Sequence, residues 1–359
     1  MKRIFITDCE GPISKNDNAY ELTEKLVPEG GTLFEIISIY DDIQAEIVKR
    51  PNYKAGDTLR LIVPFLRACG ATNKIIREIS IQEIRLVSGS KDTLSFIRSL
   101  MPSYIVSTSY EHYIQSLCQV INFPFRNTYC TELDIDSYNF NRYETDKITK
   151  WINDLVKLPK PKIPIGAKSL ADLTEDDQKT VNYLDEIFWK KMLDMVSGEI
   201  ITKIKPIGGT EKVNAVKDII QKNSVDTSQV IYFGDSITDL APLRYVRENG
   251  GLAISFNGNE YAIKEAEIAV LSSNTLVTSI ITIAFNKGGK ELVSELVRDW
   301  TIKKIGEIIG EQFRLRAKQV YGSTLPIVDM ISDSNRDRLT KESCRFRKEV
   351  RGEALGSLG

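Results

Sequence analysis

An α/β fold with a doubly wound parallel sheet is what this sequence predicts, and three features point to it. Short apolar runs rich in β-branched residues recur at residues 3–7, 103–106, 127–130, 229–233, 251–254 and 267–271. Amphipathic stretches separate most of them, the alternation that parallel strands joined by crossover helices require. Two long segments, 16–85 and 143–203, carry helical periodicity with no strand between, so helical units should be inserted into the sheet topology.

The first strand, Arg-Ile-Phe-Ile-Thr at 3–7, is cut off by the loop Asp8-Cys9-Glu10-Gly11-Pro12. From 18 to about 87 the apolar residues fall at helical spacing, with Leu33, Ile36, Ile37, Tyr40 and then Leu59, Ile62, Phe65, Leu66. A helix is predicted over 91–100, a strand over 103–106, a helix over 110–121 and a short strand over 127–130. Residues 143–203 are again mostly helical, interrupted by the stiff, extended Leu-Pro-Lys-Pro-Lys-Ile-Pro at 158–164. Gly208-Gly209 opens a helix to about 222, strand 229–233 leads into a helix over 238–246, and strands 251–254 and 267–271 complete the sheet. The organisation expected is a core of residues 1–15, 86–142 and 204–288, helical insertions at 16–85 and 143–203, and a charge-rich helical extension over 289–359 ending in a frayed Gly/Ser tail.

At 359 residues, with 42% hydrophobic and 27% charged side chains, the chain can bury a sizeable core, and wholesale disorder is excluded. The 48 basic and 49 acidic residues leave a formal charge of −1, so no global field draws the protein to nucleic acid or anionic lipid. No apolar run approaches the roughly 20 residues of a membrane span, and Met1-Lys2-Arg3 leads into a strand rather than a signal peptide; a cytoplasmic location is expected. Five cysteines at irregular spacing, with no C-x-x-C pair, argue against a zinc ribbon or a disulfide framework. His112 is the sole histidine, so any metal must be held by carboxylate and carbonyl oxygens.

Four short motifs stand at predicted strand ends or helix starts, which converge on one crevice in an open parallel sheet. They are Asp8-Cys9-Glu10-Gly11, Ser107-Thr108-Ser109, Lys212 behind its two glycines, and Gly234-Asp235-Ser236-Ile237-Thr238-Asp239. Together they can move a phosphoryl group. Asp8 can attack phosphorus, Glu10 can protonate the leaving oxygen and then deprotonate water, and Asp235 can complete a Mg²⁺ site. Lys212 and the Ser107 hydroxyl can stabilise charge on the transferring oxygens. Gly11, Ser107, Thr108 and Lys212 are the candidates for holding the phosphate.

These motifs resemble those of the haloacid dehalogenase-like phosphohydrolases, most closely the phosphoserine-phosphatase-like branch. The likeness spans residues 1–15 and 86–285 except the 143–203 insertion, with Val106-Ser107-Thr108-Ser109-Tyr110 similar to that branch's Val-Ser-Gly-Gly-Phe. It implies that Asp8 is the nucleophile, that the Glu10 backbone carbonyl and the Asp235 side chain bind Mg²⁺, and that Asp239 supports the metal indirectly. It also implies that segment 16–85 is a cap supplying specificity, for which Tyr20, Glu21, Arg60, Arg67 or their neighbours are candidates. Family phosphatases carry Asp two residues after the nucleophile; here Glu10 adds a methylene, a displacement of about 1.5 Å. A weaker resemblance, through Asp-Cys-Glu-Gly-Pro-Ile at 8–13, is to archaeal members of the same superfamily described as hydrogenase-associated subunits.

Several residues have plainer readings. Cys9 lies between two carboxylates that must face the ligand, so its thiol should point elsewhere. Ser109 is read as capping the helix from Tyr110, His112 as a partly buried helix residue, and Asn257-Gly258-Asn259 either as a plain turn or as a border of the site. The basic run at 336–351 is interleaved with Asp337, Glu342 and Glu349 and reads as a solvated helix face. The leading expectation is a Mg²⁺-dependent phosphomonoester hydrolase acting on a small phosphorylated metabolite, with no nucleic-acid or membrane partner. The alternatives are a catalytically weak subunit of a larger assembly that binds metal or phosphate, and a phosphotransferase; a homodimer or protein complex is left open.

Overall fold

The structure, a computed structural model, describes residues 2–164 and 166–358. Seven strands form one sheet in the order β3-β2-β1-β4-β5-β6-β7. They are β1 (Ile4–Thr7), β2 (Ser103–Tyr110), β3 (Thr128–Thr131), β4 (Val230–Gly234), β5 (Leu252–Phe256), β6 (Ile268–Leu271) and β7 (Ile327–Met330). The first six pair in parallel, while β7 lies antiparallel to β6 with Leu271 opposite Ile327. Strand β7 corrects the reading of the extension as helical throughout. Pro326 cannot continue a helix, and the open edge of β6 supplies partners for the four extended residues that follow it.

Helices α1 (Asn18–Leu26), α2 (Gly30–Asp42), α3 (Thr58–Ala68), α4 (Asn73–Glu83) and α5 (Ser90–Leu100) separate β1 from β2, and α6 (Glu111–Ile121) joins β2 to β3. Between β3 and β4 run α7 (Arg142–Leu155), α8 (Glu175–Glu186), α9 (Val196–Lys203) and α10 (Thr210–Asn223). The chain continues through α11 (Leu240–Glu248), α12 (Glu260–Glu265), α13 (Leu276–Arg298), α14 (Ile302–Ile308) and α15 (Glu311–Tyr321), and ends in α16 (Arg336–Arg351) and α17 (Glu353–Gly356).

The two-residue period of a strand decides which helices cover which face. Phe5, Ile105, Phe233 and Ile254 pack with α5, α6 and α13, whereas Ile4, Ile6, Val106 and Tyr232 face α10, α11 and α12. Helices therefore cover both faces of a largely parallel sheet, which is the doubly wound arrangement predicted. Each fully buried large apolar side chain contributes about 1.5–3 kcal/mol to that packing.

The two helical insertions share one apolar core. Phe188, from just beyond α8, sits with its ring centroid 5.8 Å from Tyr40 and 6.1 Å from Phe65, and Ile148, Trp151 and Ile152 of α7 join the same cluster. The predicted frayed tail is also corrected. Residues 353–356 form α17, and Leu355 buries against the insertion core; Gly359 lies outside the described residues. β1 sits between β2 and β4, where the strand order reverses direction, so the carboxyl ends of β1 and β4 open on the switch point of the sheet.

Candidate active site

Asp8 follows β1, and its backbone N–H donates to the Phe233 carbonyl at 2.8 Å, which ties the end of β1 to β4. Its Oδ1 accepts the Cys9 N–H at 2.6 Å and its Oδ2 meets the Lys212 ammonium at 2.8 Å. Lys212, in the first turn of α10, is fully buried and also reaches Asp239 Oδ1 at 2.7 Å. Burial alone would lower its pKa, but Asp239 and Asp8 outweigh burial and hold the ammonium above its ordinary value. Gly208 and Gly209 make this placement feasible: a Cβ at Gly208 would overlap the Ala55 carbonyl of the loop between α2 and α3, and Gly209 has φ +49°.

Asp239 organises the loop after β4. Its Oδ1 takes Lys212 and the Tyr232 hydroxyl, both at 2.7 Å, while its Oδ2 accepts the N–H groups of Asp235 at 2.9 Å and Ser236 at 3.3 Å. Burial would raise this carboxyl, yet the Lys212 charge and these hydrogen bonds hold it below the usual range. Asp8, by contrast, is pushed well up by burial and then by the Asp239 charge, with Lys212 opposing. Asp8, Asp235 and Asp239 each bring a carboxylate oxygen within 4.8 Å of the others.

Glu10 turns its carboxylate toward the start of α1, where Oε1 accepts the Asn18 N–H at 2.6 Å; burial and the Asp17 charge raise its pKa well above the ordinary value. Its carboxylate is not part of the three-aspartate cluster. Gly11 takes a different part from the phosphate contact expected of it. Its N–H is committed to the Ser14 carbonyl at 2.7 Å, and glycine is needed because φ is +102° and a Cβ would overlap the Asp235 carboxylate.

Ser107, Thr108 and Ser109 lie within β2 rather than after it. The pairing with β3 shifts register between Val106 and Tyr110, an irregularity that turns this segment toward the switch point. Ser107 Oγ accepts the Ser109 N–H at 3.2 Å and lies 3.1 Å from Ser109 Oγ, so Ser109 serves this turn instead of capping α6, which begins at Glu111 after Tyr110. Thr108 Oγ1 is buried with no hydrogen-bond partner. Ser107 and Thr108 share a cavity of about 90 Å³ with Asp8, Glu10 and Asp235.

The roof of that cavity differs from the sequence expectation. Phe34, Ser38, Asp41, Asp42, Thr58 and Leu59 line it. Tyr20, Glu21, Arg60 and Arg67 are engaged elsewhere: with Glu24, with Asn16 and Arg85, with Asp57, and with the Tyr138 carbonyl, respectively. Cys9 is fully buried and burial raises its thiol well up, in keeping with an inert side chain. His112 is buried and also held low by burial. Asn257 holds Ser272 through both its amide groups, and the Asn259 N–H donates to the Asp235 carbonyl at 2.9 Å, so this turn braces the site.

Besides the roof residues, two cationic side chains at the site escaped the sequence reading. Arg347 and Arg351 of α16 are buried, line the cavity and both bond the Asp235 carboxylate, Arg351 at 3.2 Å. The basic run is thus only partly a solvated face. A signal was available: Arg338 and Arg345 each have a glutamate four residues on, Glu342 and Glu349, whereas Arg347 and Arg351 are stacked four apart on the buried stripe Leu339, Ser343, Arg347, Arg351 with no acid at that spacing.

The sequence profile of the haloacid dehalogenase-like hydrolases matches residues 91–280. The solved structure of gene product AF1437 from Archaeoglobus fulgidus is similar over 100% of this chain and 99% of its own, with 25% identity and a TM-score of 0.81. A substrate-bound phosphoserine phosphatase complex is similar over 76% of this chain and 95% of its own, at 12% identity and a TM-score of 0.45. No curated protein matches the chain in sequence. No helix among the described residues is long and apolar enough to cross a membrane. The profile match covers more than half of the sequence, and the chain belongs to the haloacid dehalogenase-like hydrolase family.

Proposed function

We propose that this protein is a Mg²⁺-dependent phosphatase of small phosphorylated metabolites that works through an aspartyl phosphate on Asp8. The observation that carries this reading is the convergence of Asp8, Asp235, Asp239 and Lys212 at the switch point, beside a cavity holding the Ser107 and Thr108 hydroxyls. The donor set fits a hard divalent cation: three carboxylates, with no histidine or cysteine ligand beside them. Asp8 and Asp235 would hold it together with backbone carbonyls and water, and Asp239, whose oxygens already accept four donors, keeps the loop in place. A bound Mg²⁺ supplies charge neutralisation at the phosphoryl oxygens.

Asp8 Oδ attacks phosphorus as the bond to the leaving oxygen breaks, and Glu10 gives that oxygen its proton. Water then attacks the phosphoaspartate, Glu10 takes the water proton, and inorganic phosphate leaves with Asp8 regenerated. Lys212 holds Asp8 in place and faces the developing charge. The unpartnered Thr108 hydroxyl and Ser107 are placed to hold phosphate oxygens. In this reading residues 16–85 and 143–203 act together as the cap over the 1–15, 86–142 and 204–288 core, with 289–359 as an extension. Five cysteines without disulfides suit a reducing cytoplasm.

A broad phosphate-ester panel with and without Mg²⁺ tests the proposal. Turnover that needs Mg²⁺ and is lost in Asp8→Asn is expected. No turnover of any ester, with Asp8→Asn indistinguishable from the native protein, would overturn it in favour of a non-catalytic subunit.

A further inference from the structure

The contacts of Arg347 and Arg351 set a charge problem at the site. Both guanidinium groups bond Asp235 Oδ2, Arg347 also donating to the Asp235 carbonyl at 3.1 Å. Arg351 donates to the backbone carbonyls of Asn16 and, at 3.3 Å, Lys15, and Arg347 reaches the Leu358 carbonyl at 3.3 Å. Arg347 is 2% and Arg351 8% exposed, so neither charge is relieved by bulk water. The Nε of Arg347 is buried with no acceptor. Glu10, Asp17, Asp41 and Asp42 are the other carboxyl groups that line the same cavity.

Three buried cations, Lys212, Arg347 and Arg351, are thus paired by direct contact with three buried carboxylates, Asp8, Asp235 and Asp239. A divalent cation entering alone would compete with both arginines for Asp235 and leave two buried guanidinium groups without their carboxylate partner. A phosphate dianion entering alone would meet guanidinium groups already committed to Asp235. Arriving together, each supplies the partner that the other displaces. The cation takes over Asp235, and the displaced guanidinium groups, already lining the cavity, become donors to the phosphate in the planar geometry that arginine offers such oxygens.

Building on the cation-and-phosphate reading above, we infer that Arg347 and Arg351 form an exchangeable anion subsite delivered by α16. They hold Asp235 in the resting protein, turn to the phosphate dianion when a divalent cation binds, and thereby make the binding of the two cooperative. Reciprocity follows from linkage: phosphate tightens the cation by the same factor as the cation tightens phosphate. The device adds two phosphate-binding charges from outside the sheet, at residues that the 91–280 family match does not include.

The test measures Mn²⁺ affinity of the full chain at pH 8 by electron paramagnetic resonance of free Mn²⁺, with and without saturating inorganic phosphate. In the native protein phosphate should tighten Mn²⁺ by roughly 5- to 150-fold, the usual range of coupling between linked sites. Arg347→Gln/Arg351→Gln should bind Mn²⁺ more tightly in the absence of phosphate and lose most of the coupling, while Arg347→Lys/Arg351→Lys should retain part of it. No tightening by phosphate in the native protein overturns the inference without any variant, so it stays testable even if the double variant fails to fold. Native coupling in the folded glutamine variant overturns it too. Failure of the underlying reading looks different: Mn²⁺ would not bind at all, or would bind equally to Asp235→Asn.

Discussion

Lys212 is completely buried between two carboxylates, so its removal exposes a general asymmetry of buried ion pairs. Taking away one partner leaves uncompensated charge in a poorly solvated site, and Lys212→Met should destabilise the cation-free protein by about 3–5 kcal/mol in urea titrations. In the proposed mechanism Glu10 has the contrasting role of a group that must exchange its proton. Glu10→Gln cannot do so, and kcat should fall by roughly 10²- to 10⁴-fold, while Mn²⁺ affinity changes little because the carboxylate stands outside the aspartate cluster. Asp41, in the cavity roof, is pushed up to about 7 from an ordinary 3.8 by burial and then by the Asp57 charge. A carboxyl raised in the folded state contributes stability that is complete below its unfolded pKa and is lost as pH rises to about 7. Native stability should therefore decline over that window by up to about 4 kcal/mol from this group, and Asp41→Asn should flatten the decline when denaturant midpoints are compared from pH 4 to 8.

At the level of elements, the two insertions depend on each other. Phe188 is fully buried, with its ring against Tyr40 and Phe65 from the first helical segment, although more than 120 residues of chain lie between Phe65 and Phe188. Truncating it opens a cavity that surrounding side chains refill only in part. Phe188→Ala should cost about 3–5 kcal/mol of stability by denaturant unfolding. Ile231, Phe233 and Ile254 of the sheet belong to a separate cluster and should keep their amide protection when hydrogen exchange follows the two regions individually.

For the whole molecule, the C-terminal stretch closes what the sheet leaves open. Strand β7 covers the edge of β6, Leu339 of α16 packs on Ile263, Ala269 and Leu271, and Leu355 joins the core of the two insertions. A chain ending at residue 325 would bare a strand edge and an apolar patch together, the combination that templates association. Such a truncation should shift from a discrete species to heterogeneous aggregates in size-exclusion chromatography.

The strands and the four chemical motifs were legible in the sequence because both are local. Short apolar runs mark strands such as β1 and β4, and Asp8, Lys212 and Asp235 stand at fixed offsets from strand ends or helix starts. Strand polarity then brings those ends to one crevice without further information. The packing of 16–85 with 143–203, the roof residues Ser38, Asp41 and Asp42, and the strand β7 were not legible, because each depends on a surface supplied by distant chain. Arg347 and Arg351 show the boundary most sharply. Their lack of an acid at helical spacing could be read from sequence, but the partner they use instead, Asp235, lies more than 110 residues away, and only the docking of α16 against α12 and β6 decides it. Local spacing determines which side chains can form a site; long-range packing determines which charges share its low-dielectric interior, and there a charge is tolerated only with a partner in contact.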